Sequence, residues 1–142
     1  MLTHTRDELQ ADYLQLIGRT GGEPGTLTID EYSDELIVAR TSFVGTGLRP
    51  EGMIAGPSLF MVVDTMGYLV TISRSPRGSN GFTTAVAMQF LRSAPMGALR
   101  IEGRLLRYSK RSAVVDTLVF SESIDEAVAQ AVVTYVPVLA GD

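Results

Sequence analysis

The amino-acid sequence predicts an α+β fold in which one antiparallel sheet covers a buried helix, within a single domain over residues 1–142. Two observations carry this expectation. Residues 56–73, Gly-Pro-Ser-Leu-Phe-Met-Val-Val-Asp-Thr-Met-Gly-Tyr-Leu-Val-Thr-Ile-Ser, are apolar on nearly every side, and a helix of that kind belongs at the centre of a fold. Two strand-like segments precede this run and four follow it, the four joined by short links that imply an antiparallel meander.

The chain opens with a helix. Thr5 followed by Glu8 makes a capping box, and Leu9, Tyr13, Leu16 and Ile17 then recur at helical spacing up to Gly18. His4, just before this helix, is expected to be frayed. Glycines 18, 21, 22 and 25 with Pro24 form a loop, after which residues 26–32 and 35–43 read as two strands turning at Ser33-Asp34. Residues 45–57 hold Gly45, Gly47, Pro50, Gly52, Gly56 and Pro57, a long loop of the kind that often carries function.

Length assigns the central run. Val62, Val63, Thr65, Val70, Thr71 and Ile72 are β-branched and suit a strand, yet buried strands run about four to eight residues and this segment spans about sixteen, roughly 24 Å as a helix. Gly56-Pro57 suits a helix start, because proline has no N–H to lose and its φ is already helical. The run is too short for the ~20 residues that cross a bilayer, and it carries the acid Asp64. After it, residues 75–81 are dense in turn formers, and residues 82–93, 98–108, 112–121 and 127–138 are the four later strands.

Composition excludes several kinds of chemistry. The chain has no cysteine, so disulfides, thiolate metal sites and cysteine nucleophiles are out, and its one histidine leaves no base for a serine triad and no histidine metal site. No cofactor is expected. The opening residues lack a basic region followed by an apolar one, so the expectation is a cytoplasmic protein without a signal peptide. The formal charge is −4, unevenly spread: residues 74–111 hold eight basic residues against Glu102, whereas the remainder holds four basic residues against fifteen acids. An acidic protein with one basic segment argues against nucleic-acid binding; these arginines serve either to keep strands soluble or to meet a ligand phosphate.

The order of motifs resembles the PaaI-like acyl-CoA thioesterases, a hotdog-fold family. Ala55-Gly56-Pro57 stands where that family has His-Gly-Gly, Val62-Val63-Asp64-Thr65-Met66 stands at its helix motif, and Thr83-Thr84 with Phe90-Leu91-Arg92 stands at its strand motif. Residues 97–104 and the late Ala-Val-Val-Thr-Tyr, 131–135, are similar as well, so the likeness runs from about residue 45 onward. It implies hydrolysis of an acyl-CoA thioester, with Asp64 as general base or nucleophile, the Gly56 N–H polarising the carbonyl, and Thr71 two helical turns beyond Asp64 as a helper. It also implies a homodimer or a dimer of dimers in which Asp64 of one copy meets Gly56 of another. Phe60, Met61, Met88 and Phe90 are then candidates for the acyl tunnel, and Arg92, Arg107, Lys110 and Arg111 for the CoA phosphates.

Each of these residues also has a plainer role. A buried carboxylate costs several kcal/mol unless it is paired or used, so Asp64 is tied to backbone or serine hydroxyls for stability, escapes to solvent at a helix kink near Gly67, or is chemically active. Thr71 equally suits a hydrogen bond to the carbonyl one turn back. Gly67, between them, is expected to leave room for substrate. Ala55 and Pro57 depart from the family pattern, and the alternative function they leave open is a non-catalytic hotdog protein that binds acyl-CoA or another apolar ligand.

Overall fold

The computed structural model describes residues 1–140. Along the chain lie α1 (Arg6–Ile17), β1 (Thr28–Tyr32), β2 (Ile37–Phe43), α2 (Gly56–Ile72), β3 (Asn80–Phe90), β4 (Gly97–Tyr108), β5 (Ala113–Ser121) and β6 (Glu126–Val138). The strands form one antiparallel sheet in the order β1-β2-β4-β5-β6-β3, curled around α2. This is the hotdog architecture.

The meander is only partly as expected. β4, β5 and β6 follow it, but β3 pairs with β6 at the far edge, with Thr83 opposite Tyr135 and Phe90 opposite Ala129. Because the sheet curls around α2, residues 91–96 lead from β3 to β4 across the N-terminal end of that helix. There the Ile54 N–H donates to the Ala94 carbonyl at 2.8 Å.

Eleven of the residues of α2, from Ser58 to Ile72, are buried, and β5 alternates buried and half-buried side chains along its whole length. Helix and sheet meet where side chains are absent. A Cβ on Gly67 would lie 2.5 Å from Val133 Cγ1, and one on Gly103 would lie 2.8 Å from Val70 Cγ2. Gly67 therefore makes room for β6 and not for substrate.

The N-terminal capping box is formed: Thr5 Oγ1 accepts from the Glu8 N–H at 3.1 Å, and Glu8 Oε1 accepts from the Thr5 N–H at 2.8 Å. Only Leu9 and Tyr13 of α1 are buried, because Leu16 and Ile17 pass beyond the core to a cavity rim. His4 is not frayed but buried, with 5% of its surface exposed. The reason is a strap that meets the last carbonyls of α2, groups that have no partner within the helix. Thr3 N–H donates to the Ser73 carbonyl at 2.8 Å, and Tyr32 Oη donates to the His4 carbonyl at 3.0 Å. Among the described residues no helix is long and apolar enough to cross a membrane.

Candidate active site

Asp64 sits near the middle of α2, where the helix turns from the core toward a gap between α1 and β3. It is half-buried rather than buried, because it opens into a cavity of about 290 Å³. Tyr13, Leu16 and Ile17 of α1, Thr65 and Tyr68 of α2, residues 80–83 of β3 and Tyr135 of β6 complete the walls. The Thr83 hydroxyl donates to Asp64 Oδ1. The other carboxylate oxygen has no hydrogen bond among the described residues and is left for whatever enters.

Backbone register places Thr83 there. β3 carries a bulge between Thr83 and Ala85, so Thr83 lies opposite the inward-facing Tyr135 and Thr84 is the extra residue. Thr84 turns instead to the Thr134 carbonyl at 3.3 Å.

Gly56 occupies the start of the same helix, about 12 Å from Asp64 along the axis. The Gly47 carbonyl accepts from both the Ala55 N–H, at 2.9 Å, and the Ser58 hydroxyl, at 2.8 Å. Ser58 and Leu59 donate their own N–H groups to the Ala55 carbonyl at 3.0 and 3.2 Å, and Pro57 has none to give. Among these first residues Gly56 alone keeps an N–H without an acceptor, at the end of the helix where negative charge is favoured. It opens into a cavity of about 350 Å³ with Arg49, Phe90 and Arg92, and into an apolar recess of about 510 Å³ with Pro57, Phe60 and Phe90.

One copy of the chain therefore keeps Asp64 and Gly56 in separate cavities. Thr71 does not join either. It is fully buried, its hydroxyl has no partner among the described residues, and it lines neither cavity, whereas Tyr68, one turn before it, lines the one that holds Asp64. Met88 is half-buried against the core, and Met61 is exposed beside Gly25. Arg92 reaches Glu126 at 3.3 Å, whereas Arg107, Lys110 and Arg111 are exposed around the β4–β5 turn and line neither cavity.

Sequence reasoning missed the tyrosines. Tyr13 and Tyr68 have ring centroids 6.3 Å apart, and Tyr68 and Tyr135 meet edge to face at 6.2 Å. Burial pushes the Tyr68 phenol up to about 12, with the Asp12 and Tyr13 charges adding to it. The Tyr135 phenol is raised by burial first, then by Tyr68 and Asp64. Both stay protonated through the neutral range. Their sequence signal was a tyrosine in an otherwise aliphatic run and, for Tyr135, its place in the Ala-Val-Val-Thr-Tyr stretch. Among the described residues no cluster of three or more histidines and acids could hold a metal ion.

Comparison with known proteins bears on the family and the fold. A family model described as the thioesterase superfamily matches residues 51–128, more than half of the chain. A thioesterase-like protein from Silicibacter sp. TM1040, described as putative, is 30% identical, with 96% of this chain and 94% of that one covered and a TM-score of 0.85. A thioesterase from Haemophilus influenzae shares the fold at 16% identity, covering 100% and 98% of the two chains with a TM-score of 0.83. A Streptococcus mutans protein solved bound to acetyl CoA is 24% identical, covers 78% and 87%, and has a TM-score of 0.70. A comparison with curated proteins finds no match.

Proposed function

Because this chain belongs to the thioesterase superfamily and is a thioester hydrolase, we propose that it hydrolyses acyl-CoA thioesters with Asp64 as general base. One observation carries the assignment: Thr83 holds one oxygen of Asp64 and leaves the other facing the cavity. A hydrogen bond to one oxygen fixes the carboxylate plane, so the free oxygen can accept a proton from a water held against it. The bound acetyl CoA of the Streptococcus mutans protein supports CoA as the carrier.

The Gly56 N–H is the donor for the thioester oxygen. Because it cannot reach Asp64 within one copy, the working site takes Asp64 from one protomer and Gly56 from another. The edge strand β3 supports a homodimer of this kind. Among the described residues it pairs only with β6, and Phe82 and Phe90 along it, with Phe60 and Met61 on α2, leave apolar surface exposed. Arg92, beside Gly56, fits a CoA phosphate in this arrangement. Arg107, near the end of β4, and Lys110 and Arg111, on the turn after it, have no part in this reading. The PaaI-like branch fits the motif order, with Ala55 in place of its histidine.

The test is a panel of aliphatic and aromatic acyl-CoAs incubated with the protein and a thiol reagent, with Asp64→Asn alongside. CoA release that disappears in the variant is the expected result. Full activity in Asp64→Asn refutes the general base, and tight binding without CoA release supports a non-catalytic binder.

A further inference from the structure

The Tyr135 side chain is 4% exposed, and its hydroxyl, which makes no hydrogen bond to any described residue, is not sealed in but reaches the cavity that Tyr135 lines. A phenol whose ring is buried and whose oxygen reaches a cavity offers a donor of fixed position to a water or ligand there. The ring is held on two sides. Tyr68 packs against it edge to face, and Gly81 lies over it so closely that a Cβ would sit 2.5 Å from Tyr135 Cε1.

Its placement gives the donor a target. Tyr135 stands opposite Thr83 across the β3–β6 pair and shares a cavity with Asp64. Two hydroxyl-bearing residues on adjacent strands thus line the cavity that holds the carboxylate. Thr83 is spent on Asp64 Oδ1, and Tyr135 is not.

We propose that the Tyr135 hydroxyl donates a hydrogen bond to the water that Asp64 activates, fixing the direction in which that water attacks. This rests on the reading of Asp64 as general base. The water forms its bond to the thioester carbonyl carbon and gives one proton to Asp64. The carbonyl electron pair moves onto oxygen and returns to break the C–S bond, and the departing thiolate takes the proton back from Asp64. Tyr135 orients and keeps its own proton throughout, because burial and the neighbouring carboxylate both disfavour a phenolate. A donor locked before substrate arrives needs no reorganisation during the step.

The experiment is Tyr135→Phe, assayed on the same acyl-CoA panel beside the parent and Asp64→Asn, with thermal unfolding of all three. The expected result is a kcat lower by about 10- to 100-fold, a KM within about twofold of the parent, and a midpoint of unfolding at or above the parent's. A kcat within twofold of the parent, while Asp64→Asn is inactive, overturns the role of Tyr135 and leaves Asp64 standing. A phenylalanine variant that fails to fold, or that changes KM alone, also overturns it, since the hydroxyl would then be structural or merely binding. Activity in Asp64→Asn, or none in the parent on any substrate, removes both readings together.

Discussion

Gly56 and Asp64 share one helix but open into different cavities, eight residues apart in the chain. A site needing both must therefore draw them from two copies. Gly56→Pro deletes the free N–H, and the extended backbone of Ala55, φ −69° and ψ 146°, already suits a following proline. Alone, this variant should lose about 10²- to 10³-fold in kcat, and Asp64→Asn should be inactive. Refolded together, mixed dimers hold one intact site each, so roughly one quarter of parental activity should return. A mixture that stays inactive places both residues in one copy's chemistry or in none.

Thr83 fixes the Asp64 carboxylate through a hydrogen bond to a charged group, the kind worth about 1.5–3 kcal/mol. Thr83→Ala should lower kcat by about 10- to 100-fold, and Thr83→Ser should recover most of it. Steady-state kinetics of the two variants decides this, the serine separating the hydroxyl from the methyl group.

Gly67→Ala sets two effects against each other. Alanine favours a helix by about 1 kcal/mol over glycine, but its Cβ would meet Val133 Cγ1 at 2.5 Å and Val133 Cβ at 3.2 Å. Overpacking at a strand-held side chain costs about 1–3 kcal/mol, so the clash should win and the protein melt earlier. Adding Val133→Ala should restore part of the loss. A more stable Gly67→Ala would show that α2 can shift off β6.

His4 gives the stability a pH dependence with a definite sign. Burial lowers the imidazole from 6.5, with Arg77 adding to it and Asp12 and Glu8 opposing it. The unfolded chain therefore binds the proton more readily than the folded one. The strap's contribution is complete above about pH 6.5 and declines as the pH falls below it. His4→Asn should flatten stability between pH 7 and pH 5.5, measured by denaturant unfolding; an unchanged slope would exclude the strap as its origin.

Much of the fold could be read from the sequence, because it follows local rules. The capping box of α1, the Gly56-Pro57 start of α2 and the alternation in β5 each depend on residues a few positions apart. The place of β3 did not, since its short link to β4 looks like a hairpin and only sheet curvature tells that it crosses the helix end. Asp64 and Gly56 were visible through motif order. Thr83 and Tyr135 were not assigned, because their meeting depends on a bulge and on pairing between residues far apart in the chain. Thr71 misled for a related reason: helical spacing gives its side of α2 but not what stands between it and the cavity.

The bulge in β3 leaves Thr84 beside Thr83 as a residue in excess of the ladder. A bulge displaced by one residue would bring Thr84 opposite Tyr135 and send Thr83 outward, and since both are threonine a hydroxyl would still face Asp64. A slip of one at this bulge would thus leave the chemical group presented unchanged. Redundancy of this kind makes the double replacement of Thr83 and Thr84 by alanine more informative than either single one.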